Sequence, residues 1–412
     1  MNISDRTSGR AAGAALTLVV LAFAALLPFA SPATADTPSE WVKAFWPTAR
    51  AAGVTRKVYD AALGDFTPDP DVIRKTETQA EFNTPIWDYL DMMVSPDRLT
   101  EGKSALAQYA ATLSKIETRY GVDRYVVVAI WGMESHYGAA LSNPKLIHNT
   151  IRALATLAYS GGSFGKYGRT QLVAALKIVQ RGDISISAMT GSWAGAMGQT
   201  QFIPTTYNAF AVDFDGDGHR DIWTSPADAL ASTANYLKKS GWQPGETWGY
   251  EVALPKGFEP GKPSTVRSLK DWAKLGLARV GGDGFPRPGD RASLFMPAGS
   301  KGPAFLVLAN FRVIMRYNNA TSYALAVGAL ADRLHGFGPF VTPWPPHEAP
   351  LTVDERRKLQ VLLIARGFYN GDPDGNIGSG SRDAIRTYQL KIGYTPDGVG
   401  SRSLLQALEA GK

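Results

Sequence analysis

The sequence predicts a mainly α chain of the α+β kind: a helical body with a minor β part, then a small three-helix C-terminal domain. Three observations lead there. Apolar residues recur at helical spacing along much of the chain; the stretch 241–301 is rich in Gly and Pro with only short apolar pieces; and a proline-rich run at 338–350 separates the last segment.

The chain has 412 residues, 44% of them hydrophobic, enough for a sizeable core and two or three units. Its first residues read as an export signal: Arg6 and Arg10 precede an apolar run from Ala11 to Ala30, and Ala33-Thr34-Ala35 offers a small-residue cleavage site before Asp36. The run is also long enough for an uncleaved membrane anchor. Residues 1–35 are therefore expected to be a signal peptide, the mature chain to start at Asp36, and the protein to be exported to the periplasm. With no cysteine, the chain has no disulfide, thiolate metal site, catalytic cysteine or lipid-bearing cysteine. The net charge is +6, of which Arg6, Arg10 and Asp5 carry +1. That mild basicity suits an anionic polymer such as a bacterial wall, but no Lys/Arg run argues for nucleic acid.

Taken in order, Ser39 to Leu63 and Glu101 to Tyr120 carry helical apolar spacing. Asp123 then caps the apolar stretch Tyr125-Val126-Val127-Val128-Ala129-Ile130-Trp131, where β-branched residues would also allow a strand but the cap and length favour a buried helix. Helices are further predicted at Thr150 to Tyr159, Thr170 to Gln180, Pro226 to Ser240 and Ser322 to Leu334. Residues 241–301 are expected as loops with a few short strands. A body spanning 36–337 and a linker at 338–350 follow. The domain at 351–412 opens with the capping box Thr352-Val353-Asp354-Glu355, on a helix that stops at Gly367. Two Pro-Asp-Gly turns, at Pro373 and Pro396, each introduce a further short helix.

The chemistry points to Glu134, which ends the most apolar segment after the signal, in Gly132-Met133-Glu134-Ser135-His136-Tyr137-Gly138. Burial there would raise its pKa toward that of a general acid, as departure of a glycosidic oxygen requires. A carboxylate in such a place is also commonly a cap or one half of an ion pair. The run Gly191-Ser192-Trp193-Ala194-Gly195-Ala196-Met197-Gly198-Gln199-Thr200-Gln201-Phe202-Ile203-Pro204 joins small residues, amides, a hydroxyl and aromatics, a mixture suited to close approach of a sugar polymer. It would equally serve as a tight packing loop.

With these two motifs and Arg316-Tyr317-Asn318-Asn319-Ala320-Thr321-Ser322-Tyr323, the segment Trp41 to Leu334 resembles the lytic murein transglycosylases of the B type. That resemblance implies a lysozyme-like catalytic domain. It implies that Glu134 protonates the glycosidic oxygen between N-acetylmuramic acid and N-acetylglucosamine, then acts as base on the muramic 6-hydroxyl to give a 1,6-anhydro sugar. One carboxylate then suffices where ordinary glycosidases pair two. It further assigns substrate contacts to Ser192, Gln201, Phe202, Tyr236, Tyr317, Asn318 and Tyr323. Where relatives tend to carry Pro-Arg-Arg, this chain has Tyr159-Ser160-Gly161-Gly162-Ser163-Phe164-Gly165-Lys166-Tyr167. The last segment resembles the common peptidoglycan-binding domain in its Leu359-Gln360, Asp374-Gly375, Ala384 to Gln389 and Asp397-Gly398 elements, which implies tethering to glycan strands. A hydrolytic muramidase and a non-catalytic wall scaffold stand as alternatives, and partners among wall-synthesis proteins stay open.

Asp213-Phe214-Asp215-Gly216-Asp217-Gly218-His219-Arg220-Asp221 has carboxylates at the first, third, fifth and ninth places and Gly at the sixth, the start of a calcium loop. Thr224 stands where a bidentate Glu would complete an EF-hand. The family resemblance makes Asp228 the later closing residue, giving a structural Ca²⁺ set of Asp213, Asp215, Asp217, His219 and Asp228. The same Asp-Gly pairs could instead form plain turns. No organic cofactor is expected. Gly161-Gly162-Ser163-Phe164-Gly165 fits G-x-S-x-G but follows a helix rather than a strand, and the five histidines lack zinc spacing.

Overall fold

The computed structural model describes residues 37–77, 85–258, 265–299, 302–345, 351–394, 396 and 398–411. The expected signal and its cleavage site at Asp36 lie outside the described residues, as do Pro346 to Pro350 and Asp397 of the second Asp-Gly turn.

The first predicted helix is two, α1 (Pro38–Ala51) and α2 (Arg56–Leu63), because Gly53 turns the chain through a left-handed φ of 88°. After α3 (Pro70–Glu77) and α4 (Ile86–Met93), the long second segment also divides, into α5 (Pro96–Gln108) and α6 (Ala110–Tyr120), with the break at Tyr109. Helix α7 (Arg124–Ser135) is capped as expected: the Asp123 side chain accepts from the Tyr125 N–H at 2.7 Å. Its run of valines is buried on all sides, so tertiary packing overrides their strand preference.

A short strand β1 (His148–Asn149) leads into α8 (Thr150–Ser160) and α9 (Gly162–Arg181). Helix α9 begins earlier than predicted, so Ser163 lies in the first turn of a helix that follows a helix, and no nucleophile elbow exists there. Strand β2 (Thr190–Gly191) pairs with β1 and opens the Gly-rich loop, which runs into α10 (Pro204–Phe210) and later α11 (Pro226–Lys239).

Between 241 and 308 the short strands form one antiparallel sheet: β3 (Gly249–Ala253), β4 (Val266–Ser268), β5 (Ala278–Arg279), β6 (Arg291–Phe295) and β7 (Ala304–Val307), in the order β4-β6-β7-β3-β5. Helix α12 (Leu269–Lys274) covers it through Leu269 and Trp272. Helices α13 (Ala309–Tyr317) and α14 (Thr321–His335) complete the body.

Two helical cores result. One gathers α4 to α7, α11, α13 and α14; the other gathers α1, α2, α8, α9 and the Gly-rich loop. Tyr236 and Tyr317 pack against both, so the residues expected at the site meet at this junction.

The expected linker departs from a simple connector. Phe340 and Trp344 insert into the aromatic core, with Phe340 at 4.8 Å from Phe305 and Trp344 at 6.2 Å from Trp87, and the Glu251 carboxylate accepts from the Val341 and Thr342 N–H groups at 2.8 and 2.7 Å. Its first half is thus a strap fastened to the sheet, which proline content alone does not reveal.

The C-terminal domain comprises α15 (Val353–Ala365), α16 (Ser379–Lys391) and α17 (Arg402–Glu409) around Leu359, Leu363, Ile385, Tyr388 and Leu404. The Thr352–Glu355 capping box forms. Two buried glutamines hold the glycines Gly375 and Gly398: Gln360 Oε1 accepts from the Gly375 N–H at 2.7 Å, and Gln389 Oε1 from the Gly398 N–H at 2.9 Å.

Candidate active site

Glu134 occupies the last turn of α7, where the helix delivers its carboxyl to the junction of the two cores. The residue as a whole keeps some solvent access, yet its carboxyl is enclosed by protein, and that burial pushes its pKa up to about 7. The Tyr323 hydroxyl, from the first turn of α14, donates to Glu134 Oε1 at 2.6 Å and acts in the opposite sense by favouring the ionised form. Tyr323 itself is only 3% exposed, and burial beside Glu134 holds its phenol well above the ordinary range.

Three further tyrosines complete the surroundings. Tyr317 donates to the Thr200 carbonyl at 2.6 Å, Tyr236 donates to the Arg316 carbonyl, and the two rings meet at 5.1 Å over Phe202. Tyr89, on α4, lies near enough to Glu134 for that charge to disfavour its ionisation, as Tyr317 does. Tyr89 was not singled out from the sequence, because helix α4 is short and carries no motif; only the packing of α4 on α14 brings it in.

The remaining expected contacts divide. Gln201 sits in the left-handed region at φ 52°, donates to the Gly198 carbonyl at 2.9 Å, and leaves its Oε1 buried without a partner among the described residues. Asn318 Oδ1 is likewise buried and unpartnered. Ser192 and Phe202, by contrast, are 1% and 2% exposed. The Ser192 hydroxyl accepts from the Ala196 N–H at 3.0 Å and so closes the Gly-rich loop, while Phe202 forms the floor beneath Tyr236 and Tyr317. These two side chains support the site rather than line it.

In the acidic loop, carboxylate oxygens of Asp213, Asp215 and Asp217 lie within 4.8 Å of one another, a hard-oxygen cluster that fits Ca²⁺. Asp228 does not join them. It is buried, and its two oxygens accept from the Phe214 N–H at 2.7 Å and the Asp221 N–H at 2.8 Å, so it shapes the loop from beneath. The His219 side chain is exposed and outside the cluster, while its N–H donates to Asp217.

Residues 37–332 match the family described as the transglycosylase SLT domain. The chain belongs to that family. The transglycosylase body is followed by a match to the peptidoglycan binding domain at residues 352–408. Against the membrane-bound lytic murein transglycosylase B of Escherichia coli, the transglycosylase is 32% identical over 246 residues, 59% of its own length and 66% of that protein's. It is similar to SltB3 from Pseudomonas aeruginosa, whose crystal structure is in complex with NAG-anhNAM-pentapeptide: 49% identity, TM-score 0.80, covering 90% of this chain and 99% of that one. The lytic transglycosylase Slt35 of Escherichia coli, in complex with calcium, matches at 28% identity and TM-score 0.60, over 72% of this chain and 92% of that one. These findings agree with the fold, family and enzyme class that the motifs around Glu134 imply. Among the described residues no helix is long and apolar enough to cross a membrane.

Proposed function

We propose that this transglycosylase cleaves the β-1,4 bond between N-acetylmuramic acid and N-acetylglucosamine without water, leaving 1,6-anhydro ends. The observation that carries the reading is the enclosed Glu134 carboxyl, raised to about 7 and in contact with a phenol rather than a second carboxylate. Near neutral pH such a group can give its proton to the departing glycosidic oxygen, after which the carboxylate accepts the proton of the muramic 6-hydroxyl as that oxygen attacks C1. Tyr323 steadies the carboxylate in the interval between the two steps. Gln201 and Asn318 offer amide oxygens to acetamido and hydroxyl groups, and Tyr236 and Tyr317 offer ring faces to the sugars. An inverting or retaining hydrolase would instead need a second carboxylate about 5–10 Å away.

The resemblance to SltB3, solved with a peptidoglycan fragment, supports the same substrate here. The C-terminal domain would hold the enzyme on that polymer and raise its local concentration there. Export through the residue 1–35 signal to the periplasm is part of this reading, since the substrate lies outside the cytoplasm. Asp213, Asp215 and Asp217 would hold Ca²⁺, whose contribution when bound is to neutralise three clustered carboxylates and stiffen the loop.

Mass spectrometry of the products from residues 36–412 and purified peptidoglycan tests the proposal. Soluble muropeptides one water lighter than reducing ones are expected, and Glu134→Gln should abolish their release while leaving wall binding intact. Reducing ends would refute the anhydro mechanism, and near-normal turnover by Glu134→Gln would remove Glu134 from it.

A further inference from the structure

The turn that follows Glu134 is strained. His136 and Tyr137 are consecutive non-glycine residues in the left-handed region, at φ 53° and 57°, and Gly138 follows at 90°. Such a turn persists only where its surroundings impose it, and here the imposing element is α5. The Tyr137 hydroxyl donates to the Arg98 carbonyl at 2.8 Å, and His136 Nε2 lies 2.7 Å from the Glu101 carboxylate. The Tyr137 ring fills a slot that exists because two helical positions are glycine: a Cβ on Gly102 would fall 2.4 Å from its hydroxyl oxygen, and one on Gly132 would fall 2.6 Å from its Cζ.

Arg98 joins the same lock from its side-chain end. Its guanidinium is largely buried, and among the described residues no carboxylate lies within ion-pair distance of it. It donates instead to carbonyls: Nε to Gly132 at 3.1 Å, and Nη1 to Met93 at 2.6 Å and Met92 at 3.2 Å. One side chain therefore ties the end of α4, which carries Tyr89, to the last turn of α7, which carries Glu134. On the opposite side, Ser135 donates to the Gln199 carbonyl at 2.5 Å and accepts from the Gly138 N–H, joining the same turn to the Gly-rich loop.

We infer that Arg98 and Tyr137 are positioning residues, which hold Glu134 and Tyr89 in one fixed relation by locking α5 across the ends of α4 and α7. A guanidinium fork is required because three carbonyls from two helices must be met at once, which the single ammonium of lysine does not do in the same geometry.

The inference rests on Glu134 being the acid, so Glu134→Gln is measured alongside. Arg98→Lys and Tyr137→Phe are compared with the parent for kcat and KM of anhydromuropeptide release, for the pH dependence of kcat/KM, and for melting temperature. Arg98→Lys should lower kcat at least tenfold with KM within twofold. It should also move the alkaline limb to lower pH by at least half a unit, because water reaching a loosened Glu134 lowers its pKa. Tyr137→Phe keeps the ring in its slot and should give the same pattern with a several-fold loss in kcat. Folded Arg98→Lys with parental kcat and an unmoved limb overturns the inference; should that variant not fold, parental values for Tyr137→Phe overturn it. If Glu134→Gln itself retains turnover, the assignment of the acid fails, separately from the lock.

Discussion

Removing one oxygen, in Tyr323→Phe, tests how the acid is tuned. The phenyl ring keeps the buried packing, while the donor to Glu134 Oε1 at 2.6 Å is lost. A hydrogen bond to a charged group contributes about 1.5–3 kcal/mol, and about 1.4 kcal/mol corresponds to one pKa unit. The lower figure applies because Tyr89 and Tyr317 remain near the carboxyl. The Glu134 pKa should therefore rise by about one unit, from about 7, since the bond favours the ionised form and its loss favours the neutral one.

A general acid works protonated, so the alkaline limb of kcat/KM for anhydromuropeptide release should move upward by about one unit, toward pH 8. The maximal rate should fall, because the carboxylate formed after proton transfer has lost its partner. Stability carries the same sign. Glu134 has a folded pKa above its ordinary value of 4.5, so the associated stability is complete below pH 4.5 and is lost as pH rises through about 7. The melting temperature of Tyr323→Phe should therefore trail that of the parent by more at pH 9 than at pH 5. A limb that stays in place or moves to lower pH would show that the phenol does not govern this carboxyl.

Gly132→Ala should abolish release and cost about 1–3 kcal/mol of stability, read by urea unfolding, because its Cβ would overlap the Tyr137 ring at 2.6 Å. Asp332 is a second buried carboxyl, raised to about 7 by burial and bonded to Trp248 Nε1 at 3.1 Å. Its share of stability is complete below its ordinary value of 3.8 and is lost as pH rises through about 7. Asp332→Asn should thus exceed the parent in stability at pH 9 by about 2–4 kcal/mol and match it near pH 4; parity at both values contradicts the burial argument. Chelation should lower the parent's melting temperature and leave the double variant Asp213→Ala, Asp217→Ala unaffected, whereas a parent indifferent to added Ca²⁺ would make the loop a plain turn.

The parts legible in the sequence are those in which local chemistry and fold agree. An Asp cap before an apolar run located α7, and the capping box and paired Asp-Gly turns located the C-terminal domain. Spacing also brought out the three carboxylates that converge in the acidic loop, whereas Asp228, which the resemblance added as a ligand, lies apart from them with its oxygens taken by backbone N–H groups of that loop. Side-chain direction within irregular loops was not legible: Ser192 turns inward to the Ala196 N–H because the Gly-rich loop folds back on itself, with Gly195 and Gly198 both in the left-handed region. Tyr89 and Arg98 escaped for another reason, since their roles depend on which helix packs on which. The strap at Phe340 and Trp344 was hidden by its prolines, which exclude a helix but say nothing about two aromatics finding a core.

The acid and its tuning phenol lie 189 residues apart in the chain. Synthesis delivers α7 long before α14, and the core that raises the Glu134 pKa is built from both. A chain that stops short of α14 therefore carries the carboxyl but not the environment that makes it an acid at neutral pH. The acid function at neutral pH therefore rests on the last helix of the body as much as on the helix that carries the carboxyl.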